Sequence, residues 1–326
     1  MTGQALDAWA QDICTRHDLR RTKELRRTTH DLSDRLRNLV WEVDREAGPA
    51  ILKVYDDDVV NVEAESLLAF HDVNRSRILT APELYLHETV SLTKGWLLME
   101  KLTEAGHFLE SPLEPSERER FVELFCEYRR NFPSGPNRPL ALAEAQDAYR
   151  FHSFRTMQAL ELASSREQQR AFAGEPAVLE HDELLPRLEA AMDHIRVVFK
   201  GRDLHWGHGH FKPADVFESP DERWVITDFG HTKMLPEGYE ESLAIWWDQM
   251  IMRPTDDFQS WRADIDDWAQ RFQRAEPDLE REVLAAGLLE RALATVLKTI
   301  VLEDDIAPED RRRWLTLHYR LIDELS

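Results

Sequence analysis

The stretch HGHFKPADVF (208–217), followed shortly by ITDFG (226–230), decides how this chain is read. Residues 208–215 form a loop that gathers polar side chains just ahead of a short apolar run. Asp228 closes a second β-rich run, RWVITDF (223–229), and Gly230 permits a tight turn behind it. A strand–loop–strand unit with Asp215 and Asp228 facing one cleft offers hard oxygen ligands suited to a divalent cation such as Mg²⁺. The unit interrupts sequence with helical spacing over 115–132, 140–173, 181–199, 240–252, 257–274, 279–303 and 308–325, where FPSGPNRP (132–139) reads as a loop. A β insertion in helical sequence is a frequent seat of chemistry.

Upstream the texture changes. LVWEV (39–43) and AILKVY (50–55) flank Gly48 and Pro49 and predict a β-hairpin. VNVEAESLLAFHDV (60–73) has apolar residues at helical spacing, and APELYLHETVS (81–91) and GWLLMEKL (95–102) return to β character. The expected division is a β-rich domain over 1–101, opened by an N-terminal helix, and a mostly helical domain over 102–326 that carries the loop and metal-binding segments. Residues 4–30 have helical spacing, and their basic cluster TRHDLRRTKELRR (15–27) reads as a solvated helix face.

Composition sets limits. Among 326 residues, 41 Lys and Arg face 62 Asp and Glu, a formal net charge of −21. So acidic a chain repels phosphate backbones and anionic lipid, which argues against nucleic acid and membrane partners and favours cationic small molecules, or anions brought in with a metal ion. Two cysteines, Cys14 and Cys126, make no disulfide framework, so a reducing cytoplasm is the expected compartment. The N-terminal MTGQALDAWAQDIC has no basic start followed by an apolar core. The most apolar stretch, AAGLLERALATVLKTIVL (285–302), is broken by Glu290, Arg291 and Lys298 and reads as a buried amphipathic helix.

The ordered set of motifs resembles the aminoglycoside phosphotransferase and choline kinase-like family of the protein-kinase-like superfamily. That resemblance covers about 36–250 and implies a two-lobed α+β kinase-like fold. His208 and Gly209 match the start of the family's H-G-D-x-x-x-x-N loop; His210 stands at its catalytic Asp, and Asp215 at its metal-binding Asn. Asp228 matches the second metal ligand. ILKVY resembles the family's third strand, with Lys53 as the lysine that holds nucleotide phosphates. VEAESLLAF resembles the following helix, with Glu63 as that lysine's ion-pair partner. WLLMEKL resembles the hinge, so backbone groups around Met99, Glu100 and Lys101 are expected to face an adenine. The resemblance implies ATP- and Mg²⁺-dependent phosphorylation of a small-molecule hydroxyl.

Two departures open a second reading. No glycine precedes NLVWEV; HDLSDRLR stands there, and its Cβ atoms obstruct close backbone approach to phosphate. A histidine replaces the catalytic carboxylate. Neutral imidazole is a competent base, so His210 is expected to take the acceptor's proton in a working enzyme. In the alternative, the chain is a pseudokinase: a nucleotide-binding or interaction module without phosphoryl transfer. His205, His208 and His210 also have H-x-x-H-x-H spacing, which leaves a transition-metal site as a further possibility.

Overall fold

The computed structural model describes residues 3–30, 33–57, 61–132, 148–251, 257–301 and 306–326. Parts of the expected loop 132–139 and of the helices 140–173, 240–252 and 279–303 lie outside the described residues. The chain divides into two compact units. The first comprises Met1–Phe108, Asn131–Pro133 and Asp215–Thr232; the second comprises Leu109–Arg130, Ser134–Ala214 and Lys233–Ser326.

The first unit opens with α1 (Gly3–Arg16) and then a five-stranded sheet in the order β1-β2-β3-β6-β5. Its strands are β1 (Arg20–His30), β2 (Ser33–Arg45), β3 (Gly48–Asp56), β5 (Leu84–Ser91) and β6 (Lys94–Glu100). Here the structure corrects one expectation: residues 20–30 are strand, not helix. The helix stops because Asp18 takes a left-handed conformation (φ 52) and the Leu19 N–H donates to the Cys14 carbonyl at 2.8 Å. The arginines then line an edge strand, where charge discourages pairing with other chains. Arg21 lies over the Trp41 ring at 4.6 Å, and Arg27 reaches Asp7 and Glu24.

Side-chain alternation along β3 sets up everything that follows. Ala50, Leu52 and Val54 pack with Leu6, Ala10 and Ile13 of α1, so Ile51, Lys53 and Tyr55 point to the sheet's other face. Helix α2 (Glu63–Val73) follows, its first turn supported by the Asn61 side chain, which accepts the Glu63 N–H at 3.1 Å. A second sheet, ordered β4-β10-β9-β7, joins β4 (Leu79–Thr80), β7 (His107–Phe108), β9 (Val216–Glu218) and β10 (Trp224–Ile226). The expected strand–turn–strand after residue 215 is therefore present, with β9 and β10 antiparallel.

In the second unit, β8 (Leu204–Gly207) pairs antiparallel with β11 (Lys233–Pro236) among α3 (Pro115–Asn131), α4 (Ala148–Ala173), α5 (His181–Phe199), α6 (Tyr239–Ile245), α7 (Phe258–Ala275), α8 (Arg281–Ala294) and α9 (Pro308–Leu325). Helices α6 and α8 each run into a π-helical turn, at Trp246–Ile251 and Thr295–Ile300. Fully buried Asp248 in the first of these accepts the Leu113 N–H at 2.6 Å and the Trp268 indole N–H at 2.9 Å, tying the start of α3 to α7. Among the described residues no helix is long and apolar enough to cross a membrane.

Candidate nucleotide and phosphoryl-transfer site

Within the first unit, Lys53 Nζ donates to Glu63 Oε2 at 2.5 Å and to Asp228 Oδ1 at 3.1 Å. Three motifs far apart in the chain thus converge on one ammonium. Burial would pull the Lys53 pKa down, but Glu63 and Asp228 outweigh it and leave the group above its ordinary value. Glu63, only 1% exposed, is pushed up by burial, against the pull of Lys53; the negative charges of Asp228 and Asp215 push the same way. The Lys53 ammonium bonds two carboxylates, and the charge of Asp215 acts on the same group, an arrangement that favours an added positive charge.

Asp228 is held in a left-handed conformation (φ 61, ψ 49), a strained geometry of the sort stored at functional sites. Phe229 behind it is fully buried against Phe70 of α2 (centroids 5.4 Å apart) and stacks on Phe132 (6.4 Å, 8°). Asp215 ends the 3₁₀ turn Pro213–Asp215, and its carbonyl accepts both the Thr227 N–H (2.9 Å) and the Thr227 hydroxyl (3.1 Å). These bonds fix the backbone at 215 to the residue preceding Asp228. Both aspartates offer carboxylate oxygens, the donor type that Mg²⁺ takes.

The strand carrying Met99 and Glu100 is knitted into the sheet: Met99 pairs with Leu84, and the Glu100 N–H donates to the Glu83 carbonyl at 2.8 Å. Beyond the strand, the Lys101 ammonium bonds Glu42 at 2.8 Å and Glu104 at 3.2 Å.

The histidine loop belongs to the second unit and is braced by residues that the sequence reading missed. The His208 N–H donates to the Tyr128 hydroxyl at 2.6 Å, the Gly209 N–H donates to Glu240 Oε1 at 2.8 Å, and the Tyr128 hydroxyl donates to the Glu240 carboxylate at 2.9 Å. Gly209 has φ 78, a conformation that favours glycine. On the other side of His210, fully buried Phe211 stacks on Tyr128 with centroids 4.4 Å apart and planes 7° from parallel. Burial pushes Glu240 up to about 7, against the attraction of Arg129, and carries Tyr128 well above its ordinary value. The loop is thus clamped before and after His210. Lys212 Nζ donates to His210 Nδ1 at 3.0 Å and lies 4.8 Å over the Trp247 ring.

Among the described residues, His205, His208 and His210 do not assemble as a metal cluster. The Arg129 guanidinium donates to His205 Nε2, and burial together with Arg129 drives the His205 pKa down to about 3. At His205 and His210 a cationic donor, Arg129 or Lys212, occupies the imidazole lone pair that a transition metal would need.

No family model and no curated protein matches the chain. Solved structures match it along almost its whole length. The aminoglycoside phosphotransferase APH(4)-Ia aligns with a TM-score of 0.60 at 12% identity, covering 97% of this chain and 98% of that one. The ethanolamine kinase of Plasmodium vivax aligns at 0.60 and 10% identity, covering 95% of this chain and 85% of that one. The choline kinase LicA of Streptococcus pneumoniae aligns at 0.51 and 11% identity, covering 99% of each. Further structures of APH(4)-Ia are ternary complexes of hygromycin B with ADP or with AMP-PNP. At these identities the likeness is one of fold: this chain has the α+β, protein-kinase-like fold of these small-molecule phosphotransferases.

Proposed function

We propose that this chain is an ATP- and Mg²⁺-dependent phosphotransferase that acts on a hydroxyl of a small molecule. The observation that supports it most directly is the Lys53 ammonium held between Glu63 and Asp228, at 2.5 and 3.1 Å. A lysine so held is positioned to neutralise nucleotide phosphates. Glu63 orients it, and Asp228 with Asp215 would hold Mg²⁺. When bound, the metal would offset charge on the transferred phosphoryl group. The sheet engages the Glu100 N–H through the Glu83 carbonyl, so adenine would be read by backbone next to it, at Met99 and Lys101. In the family that the motifs resemble, the residue at His210 meets the acceptor. The net charge of −21 favours a cationic acceptor, of the amino-sugar or amino-alcohol type. The acceptor oxygen bonds to the γ-phosphorus as the bond to ADP breaks, and the hydroxyl proton is released.

The second reading, nucleotide binding without transfer, is favoured by the β1–β2 hairpin. It contains no glycine, and Arg35 and Arg37 on β2 bond Asp56 and Asp57 at 3.4 and 2.9 Å. An ATP-consumption assay against a panel of amino-sugars and amino-alcohols separates the two. Acceptor-dependent ADP formation, lost in Asp228→Ala, is expected. Nucleotide binding with no ADP formation against any acceptor would transfer the conclusion to the second reading.

A further inference from the structure

The geometry points to Lys212 as a positioning residue that fixes His210 as its Nε2–H tautomer. The residue standing at the family's catalytic carboxylate is thereby a hydrogen-bond donor to an anionic oxygen, not a proton acceptor. This rests on the phosphotransferase reading for its consequence but not for its geometry.

A lysine ammonium carries three donors and no acceptor, so the 3.0 Å bond from Lys212 Nζ to His210 Nδ1 requires a lone pair on Nδ1. A neutral imidazole with a lone pair on Nδ1 carries its single proton on Nε2. Imidazolium has N–H at both nitrogens and leaves Lys212 nothing to donate to. An aspartate at 210 could accept from Lys212 through one oxygen and keep a second oxygen for the substrate's proton. A histidine cannot, because accepting at one nitrogen commits the other as donor.

The lysine is not a loose surface arm. It is 4% exposed, its ammonium sits over Trp247, and its neighbour Phe211 is fully buried in the stack on Tyr128. Trp247 also presents its ring to His210 at 6.5 Å, edge to face, so one indole packs against both partners. It lies in the π-helical turn Trp246–Ile251, a local widening of the helix found often at functional sites. With Gly209 tied to Glu240 on the other side, the backbone that carries His210 is held from both ends.

An Nε2–H beside a lysine ammonium suits phosphoryl oxygens, which gain charge as transfer proceeds. Loss of the base is compatible with transfer, because in a loose transition state the acceptor hydroxyl is barely deprotonated. The acceptor oxygen bonds to phosphorus, the bond to ADP breaks, and the hydroxyl proton passes to water.

Long-range ¹H–¹⁵N correlation spectra of ¹⁵N-histidine-labelled protein test this, with the His210 signals assigned by loss in His210→Gln. The Nε2–H pattern is expected in wild type, changing to a tautomer mixture or to imidazolium in Lys212→Met, a variant that keeps an unbranched side chain but removes the ammonium. An Nδ1–H or imidazolium pattern in wild type overturns the tautomer. Saturation with AMP-PNP and Mg²⁺ should shift the Nε2 proton; an unmoved signal with nucleotide bound overturns the donor role. In turnover, glutamine retains an N–H donor, so His210→Gln should lose less than about tenfold, where removing a general base costs about 10²–10⁴-fold. A loss of 10²-fold or more overturns the donor assignment. If calorimetry finds no nucleotide binding at all, the phosphotransferase reading fails while the wild-type tautomer pattern still decides the role of Lys212.

Discussion

Gly207 and Glu240 occupy the same space in all but name: a Cβ built on Gly207 would stand 2.4 Å from Glu240 Oε2. The glycine on β8 is what lets a carboxylate from α6 close against the strand and accept the Gly209 N–H. A carboxylate end can usually swing away from such a clash. This one is also bonded by Tyr128 and lies 3.7 Å from Arg129, so moving it breaks several contacts. Gly207→Ala should therefore lower stability by about 1–3 kcal/mol, the range for buried polar groups losing their partners. Slower turnover should accompany the loss, because the displaced brace holds His210. Thermal melting and the activity assay measure both; an unchanged melting temperature would show that Glu240 is not pinned.

Lys53→Met should leave the fold intact by circular dichroism and abolish nucleotide-induced stabilisation. In wild type, saturation at 100 times the dissociation constant adds about 2.7 kcal/mol, readily seen as a rise in melting temperature. An equal rise in Lys53→Met with ATP and Mg²⁺ would remove this lysine from the binding site.

Lys53, Glu63 and Asp228 were legible in the sequence because each sits in a short motif of recognisable element type, and the three motifs keep their order. The edge strand β1 was not: its arginines fall at helical spacing, and the break before it is made by Asp18, where glycine is the usual sign. Tyr128 and Glu240 were hidden for another reason. They meet across 112 residues, and neither leaves a local pattern. Lys212 lay in plain view two residues from His210, but which imidazole nitrogen it engages depends on the loop's backbone, which only the fold supplies. The Trp247 contact was likewise hidden, because 240–252 reads as one uniform helix and the π-helical turn has no clear sequence mark.

Acidity bears on stability through the cluster around Arg129. Burial pushes Glu276 up to about 8, reinforced by Glu241 and Glu237 and opposed by Arg129; Glu240 lies at about 7. Their unfolded values are near 4.5. Over the window from about 4.5 to 8 the folded state thus holds more protons than the unfolded one. Stability from these groups is fully present below that window, falls as pH rises through it and levels off above. Buried His205 and His318, lowered to about 3 and about 4, act in the opposite sense up to their ordinary value near 6.5. Melting temperature should therefore decline from about pH 6.5 to 8, and Glu276→Gln should flatten that decline. A wild-type profile that rises over this range would contradict the assignment.

The last prediction concerns Asp215, whose charge, like that of Asp228, acts on Glu63 beside the Lys53 ammonium. The negative charges of Asp215 and Asp228 both act on Glu63, and a further positive charge would relieve that repulsion. Asp215→Asn removes one of these charges while keeping an oxygen donor and nearly the same shape. Without metal, the variant should melt at or above the wild-type temperature at pH 7, because a repulsion has been removed. With Mg²⁺ and AMP-PNP the order should reverse, since the metal loses a charged ligand and the wild type gains more from binding it. Measuring both proteins with and without Mg²⁺ at constant nucleotide separates the two effects. Should Asp215→Asn destabilise the metal-free protein and leave the Mg²⁺-dependent gain untouched, Asp215 would be a structural residue of the 3₁₀ turn, and the metal would have to be held by other oxygens.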